Sequence, residues 1–128
     1  MKRILIVDDI KGWRDYHSQN IMKLFDYDCE IVTAESAREG YDKLLENNAN
    51  PFDVIITDLQ MEEDFEPKYA GEWLIEQIKT LTNYCKTQVV IISATYNINV
   101  IAERLGVSYI RKSTARSLPE IYADTIKK

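Results

Sequence analysis

The chain has 128 residues, the size of one compact domain that buries most of its apolar surface without disulfide or metal staples. Its 21 acidic against 16 basic residues give a net charge of -5, which argues against an extended phosphate-backbone footprint, and so against direct nucleic-acid binding, and favours a basic partner or a divalent metal. With 45% hydrophobic residues and no apolar run of membrane-span or signal-peptide length, it reads as a globular, cytoplasmic protein with no membrane insertion.

In chain order, "RILIV" (3–7) is a continuous apolar run that suits a central strand, and it ends in Asp8-Asp9. Ile10, Trp13, His17, Ile21 and Leu24 then fall three or four apart, as on one face of a helix. His17 has no second histidine near it and reads as a structural residue of that stripe; Trp13 reads as packing. "CEIVT" (29–33) is the second strand. Ser36, with Glu39 three residues on, reads as a capping box opening a helix that carries Ala37, Tyr41, Leu44 and Leu45 on one face. "DVIIT" (53–57) is the third strand and delivers Asp58. Leu74, Ile78 and Leu81 mark the third helix, where Trp73 reads as packing. "QVVII" (88–92) is the fourth strand, followed by Ser93, Ala94, Thr95 and Tyr96. "SYIR" (108–111) is the fifth, with Tyr109 inside it and Lys112 just beyond. Ser113 or Thr114 caps the last helix, which runs to Lys127 and Lys128, where cations suit the dipole. Cys29 and Cys85 lie far apart without metal-ligand spacing and read as two buried free thiols.

Strands alternating with helical stretches predict a doubly wound (βα)5 domain with a parallel sheet and no second domain. In such folds the working crevice lies beyond the carboxyl ends of the strands. Those ends carry Asp8 and Asp9, Asp58, Ser93 with Thr95, and Lys112, so three carboxylates, hydroxyls and an ammonium are expected on one edge. Grouped carboxylates stay ionised only with a cation or proton to offset them, and Mg²⁺ suits hard oxygen ligands of this kind. An aspartyl carboxylate beside such a metal is a competent phosphoryl acceptor. Taken one at a time, these residues have ordinary readings: Asp8-Asp9 as a helix cap, Asp58 as a turn, Ser93 as a backbone partner, Lys112 as a solvated lysine. Four strand ends each carrying a group that one phosphoryl site needs favour the joint reading.

"ILIVDDI", "VIITDLQM", "VVIISAT" and "YIRKS", in this order, resemble the receiver domain of two-component response regulators, the family of the bacterial chemotaxis regulator, over nearly all of the chain. The resemblance implies a flavodoxin-like α/β fold with sheet order 2-1-3-4-5 and one receiver domain over 1–128. It implies that Asp58 accepts a phosphoryl group from the phosphohistidine of a histidine kinase or histidine phosphotransfer protein. Asp8, Asp9, Asp58 and the backbone carbonyl of Gln60 would hold Mg²⁺, and Lys112 would contact the phosphoryl oxygens. Ser93 and Tyr109 would be the switch residues, and Gln60 and Thr95 would tune the lifetime of the phosphoryl group. The output would be a change in the surface of helix four, strand five and helix five, read by a downstream protein or by an effector domain outside this chain. Catalysis would extend only to the chain's own phosphorylation and dephosphorylation.

Two features depart from the family pattern. Met61 is followed by Glu62 where proline is usual, and Gly71 comes only after the acidic stretch "EDFEPKYA", so the loop from Glu62 to Tyr69 is enlarged. Ser113 follows Lys112 where the family often has a cis proline. These departures motivate a second reading, a phosphorylation-independent interaction module on the same fold; a third, resting on the shared chemistry alone, is a small metal-dependent phosphatase with Asp58 as nucleophile.

Overall fold

Strands covered on both faces need continuous apolar runs, and the first, third and fourth strands carry them in Ile4–Val7, Val54–Ile56 and Val89–Ile92. The computed structural model describes every residue from Met1 to Lys128. The strands are β1 (Lys2–Val7), β2 (Cys29–Ala34), β3 (Val54–Thr57), β4 (Gln88–Ser93) and β5 (Ser108–Arg111). They form one parallel sheet in the order β2-β1-β3-β4-β5, as expected. The helices are α1 (Lys11–Leu24), α2 (Ala37–Glu46), α3 (Ala70–Thr80), α4 (Ile98–Leu105), α5 (Lys112–Ser117) and α6 (Ile121–Thr125).

Because side chains alternate along a strand, Ile4 and Ile6 face one layer with Ile21, Val90, Ile92 and Tyr122, beneath α1, α5 and α6. Leu5 and Val7 face the other with Leu44, Ile55 and Leu74, beneath α2 and α3. Ile91 extends this second side toward α4 through Ile98 and Ile101. Each fully buried Ile or Leu contributes about 1.5–3 kcal/mol, so the sheet centre is the rigid base on which the strand ends sit.

Several expectations need correction. Asp53 lies outside β3: its N–H donates to the Arg3 carbonyl at 2.7 Å, and its Oδ2 accepts from the Arg3 N–H at 2.8 Å, so it seals the strand's start. The last helical stretch is broken. Pro119 has no N–H to continue a helix and disfavours helical geometry at Leu118, so α5 stops at Ser117 and a short α6 follows, ending at Thr125 rather than at the terminal lysines. Arg111 is the N-cap of α5 and no side chain caps it, so neither Ser113 nor Thr114 plays that part. Ile10 and Leu45 drop out of their stripes and are exposed. The thiols are free, but Cys29, on edge strand β2, is half-buried, and Cys85, following a 3-10 turn at Thr82–Tyr84, is exposed. No helix is long and apolar enough to cross a membrane.

Candidate functional site

The ladder of the sheet continues one residue past β1 and β3. The Asp8 N–H donates to the Ala34 carbonyl at 3.1 Å and the Asp58 N–H to the Val7 carbonyl at 3.0 Å, so both aspartates are held by sheet hydrogen bonds. Asp58 is further fixed by its neighbour, since its Oδ1 accepts from the Leu59 N–H at 2.7 Å. The Gly71 N–H donates to the Leu59 carbonyl at 3.0 Å, and a Cβ at Gly71 would stand 2.8 Å from the Leu59 Cα and overlap the Asp58 carbonyl oxygen. Only glycine allows α3 to start this close to the aspartate's backbone.

Asp8 and Asp58 are 0% and 4% exposed, and Lys112, 6% exposed, lies between them. Lys112 Nζ is 2.7 Å from Asp58 Oδ2 and 3.0 Å from Asp8 Oδ2. Burial alone would lower the Lys112 pKa, but the negative charges of Asp58 and then Asp8 more than offset it and hold the ammonium above the ordinary lysine value. Burial pushes the Asp8 carboxyl up, yet His17, the Ile10 N–H and Lys112 together bring it below the usual carboxylate range. The Ile10 N–H donates to Asp8 Oδ1 at 2.9 Å, an Asx turn just ahead of α1; the N-cap is Ile10 itself and no side chain caps the helix, so the capping reading of Asp8-Asp9 fails. Asp9 is exposed and moves the other way: partial burial and the charges of Asp8 and Asp58 raise its carboxyl above the ordinary value.

Carboxylate oxygens of Asp8, Asp9 and Asp58 lie within 4.8 Å of one another. Asp8 Oδ2 is buried and accepts no hydrogen bond, the Lys112 contact being an ion pair without hydrogen-bond geometry. Three carboxylates against one ammonium, with a hard oxygen left unsatisfied, fit a divalent cation.

Ser93 and Thr95 are buried at the end of β4, where their hydroxyls are 2.9 Å apart and the Thr95 N–H also points to Ser93 Oγ at 3.3 Å. Gln60 is exposed in the loop after Asp58. Tyr109 does not join the cluster: it is 41% exposed on β5, with the Arg111 guanidinium 6.0 Å over its ring. The Lys112-Ser113 peptide is trans, the sole cis bond being Glu66-Pro67.

Three residues that the sequence reading left outside the site touch it or its frame. Trp13 places its ring 5.1 Å from Lys112 Nζ. His17, four residues on and on the same face of α1, is buried with Nε2 3.7 Å from Asp8 Oδ2. A histidine inside an apolar stripe needs a partner, which was the available signal. The third is Glu62, whose carboxylate accepts from the N–H groups of Ala37 at 2.7 Å and Arg38 at 3.2 Å, at the start of α2. Ser36 Oγ accepts from the Glu39 N–H as expected, but no reciprocal bond from Glu39 completes the capping box, and Glu62 takes the remaining amides of the first turn. Two more residues of the loop are tied down: Asp64 pairs with Arg38 at 2.7 Å, Arg38 lies over the Phe65 ring, and Phe65 stacks on Trp73 at 4.5 Å.

The sequence pattern of the family described as response regulator receiver domain matches residues 4–117. A receiver-domain protein of Clostridium thermocellum is 29% identical, over 97% of this chain and 92% of its own, with a TM-score of 0.67. The phosphorylated cyanobacterial phytochrome response regulator RcpA is 23% identical, over 96% and 89%, with a TM-score of 0.75. A Thermotoga maritima response regulator, solved in complex with Mg²⁺ and BeF, is 23% identical, over 98% and 100%, with a TM-score of 0.70; at such identity these last two likenesses speak for the fold. No curated protein matches the sequence. With its sheet order, its acidic strand ends and the family pattern agreeing over most of its length, the chain belongs to the response regulator receiver domain family.

Proposed function

We propose that the chain works as one phosphoacceptor receiver domain, with Asp58 taking a phosphoryl group from the phosphohistidine of a histidine kinase or histidine phosphotransfer protein, in the cytoplasm where such donors work. The observation that carries this reading is Lys112 Nζ set between the buried carboxylates of Asp58 and Asp8, with the Asp9 carboxylate beside them. An Asp58 oxygen attacks phosphorus, the O–P bond forms as the N–P bond breaks, and the leaving imidazole keeps the electron pair. Lys112 supplies an ammonium to the phosphoryl oxygens, and Asp58, its backbone N–H held by the Val7 carbonyl and its Oδ1 by the Leu59 N–H, stays in place during attack. Asp8, Asp9, Asp58 and the Gln60 carbonyl would hold Mg²⁺, which would offset the charge of the carboxylates and of the transferring group.

Ser93 and Tyr109 are the switch pair in this reading. Before phosphorylation the Ser93 hydroxyl rests on Thr95 and Tyr109 faces outward; with the phosphoryl group present, the population shifts to a state with both turned inward, altering the α4–β5–α5 surface for a downstream protein or an effector domain outside this chain. Thr95 and Gln60 set access to the acyl phosphate. The test is labelling with acetyl phosphate or phosphoramidate. Mg²⁺-dependent, base-labile phosphate on the wild type and none on Asp58→Asn is expected; an unlabelled wild type, or a variant labelled equally, refutes the proposal.

A further inference from the structure

His17 is a buried histidine, 1% exposed, at a position on α1 where the apolar stripe calls for a hydrocarbon side chain. Its two ring nitrogens have different partners. Nδ1 lies 2.5 Å from the Tyr122 hydroxyl in α6, and Nε2 lies 3.7 Å from Asp8 Oδ2. The Tyr122 hydroxyl is itself buried, and burial first of all pushes its pKa well up, so it keeps its proton. With no acceptor but His17, that O–H donates to Nδ1, which leaves the ring proton on Nε2, facing the carboxylate.

Asp8 Oδ2 accepts no hydrogen bond, and only two basic side-chain nitrogens lie within 4 Å of it: Lys112 Nζ and His17 Nε2. Lys112 also serves Asp58 and, on the function proposed above, the phosphoryl group. His17 serves Asp8 alone. We infer that His17, with its tautomer set by Tyr122, is a positioning residue that orients the Asp8 carboxylate for a divalent cation. The inference rests on the reading of the acidic pocket as a metal site. It joins α1 and α6 to the pocket through one hydroxyl, one imidazole and one carboxylate, while the neighbouring Trp13 ring, 5.4 Å from His17, restricts the imidazole from one side.

The test uses Mn²⁺ binding to the full chain, counted from the paramagnetic signal of the free ion, together with long-range ¹H–¹⁵N spectra of the imidazole. Tyr122→Phe removes only the hydroxyl, and His17→Leu removes the ring. Both are expected to weaken Mn²⁺ by about tenfold, while His17→Gln, which keeps an N–H donor, retains most of the affinity. The wild-type spectrum should show the Nε2–H tautomer, lost in Tyr122→Phe. A purely structural histidine would lower the melting temperature of these variants but leave Mn²⁺ affinity within about twofold of wild type, which overturns the inference alone. An Nδ1–H tautomer also overturns it, and a wild type that binds no Mn²⁺ overturns both it and the metal reading of the pocket.

Discussion

Replacing Glu62 by alanine should destabilise the protein through a helix it does not belong to. Its carboxylate takes two N–H groups from the first turn of α2, at 2.7 and 3.2 Å, where the helix dipole favours negative charge. Losing a capping acceptor costs about 1 kcal/mol, and the lost charge–dipole interaction adds about 0.3–1 kcal/mol. Glu62 is half-buried, so water replaces part of what is lost, and a total of about 1–2 kcal/mol follows. For a chain of this length that is a fall in melting temperature of about 3–8 °C. Glu62→Gln, which keeps an acceptor oxygen but no charge, should lose about half as much. Urea unfolding measures the free energy, and amide exchange reads the site, with the Ala37 and Arg38 amides opening faster in the alanine variant. A stability within about 0.5 kcal/mol of wild type, the range of an ordinary surface substitution, together with unchanged exchange at both amides, would refute the capping role.

Lys112→Ala leaves two buried carboxylates without their ammonium and should cost the metal-free protein about 3–5 kcal/mol, part of which saturating Mg²⁺ restores; an unchanged urea midpoint would contradict the pairing. Because the folded-state pKa of Lys112 is raised, its stabilisation is fully present below the ordinary lysine value and is lost only as pH rises through the higher folded value. The stability gap between wild type and Lys112→Ala, followed by urea melts across pH, should therefore be level through neutrality and close in the alkaline range. Gly71→Ala forces a methyl group onto the Asp58 carbonyl and should cost about 3 kcal/mol while slowing labelling of Asp58; a variant as stable and as readily labelled as wild type would show that α3 can retreat freely.

The strands and the acidic edge were legible because they depend on local pattern. Continuous apolar runs mark β1, β3 and β4, and the rule that doubly wound sheets work at their carboxyl ends brings Asp8, Asp9, Asp58 and Lys112 together from pattern alone. What escaped was set by partners distant in sequence. His17 reads as one more stripe residue until Tyr122, 105 residues away, comes within 2.5 Å of it. Glu62 looks like a solvated acid because its acceptor role belongs to amides 24 and 25 residues earlier. Lys127 and Lys128 suggested a helix end, but Pro119 stops α5, and α6 ends at Thr125, where the Gln88 side chain donates to the Thr125 carbonyl and accepts from the Lys127 N–H. Tyr109 was placed correctly on β5, yet which way its ring points depends on rotamer and not on pattern.

The tethered loop changes what the acids after Asp58 do. Coulomb energy near a surface falls with distance and with screening, so a carboxylate already engaged elsewhere adds little to the field at the acceptor. Glu62 spends its charge on the start of α2 and Asp64 on Arg38. Nearest to Asp58 stands the pocket itself, an imbalance of three carboxylates, that of Asp9 exposed, against one ammonium; partial burial and the charges of Asp8 and Asp58 hold the Asp9 carboxyl up, and Asp8 Oδ2 is left without a donor. A phosphoryl group brings further negative charge into that imbalance. The pocket can accept it only as fast as positive charge is present to offset it, so cation occupancy, and not the charges of Glu62 and Asp64, should govern how readily Asp58 is phosphorylated.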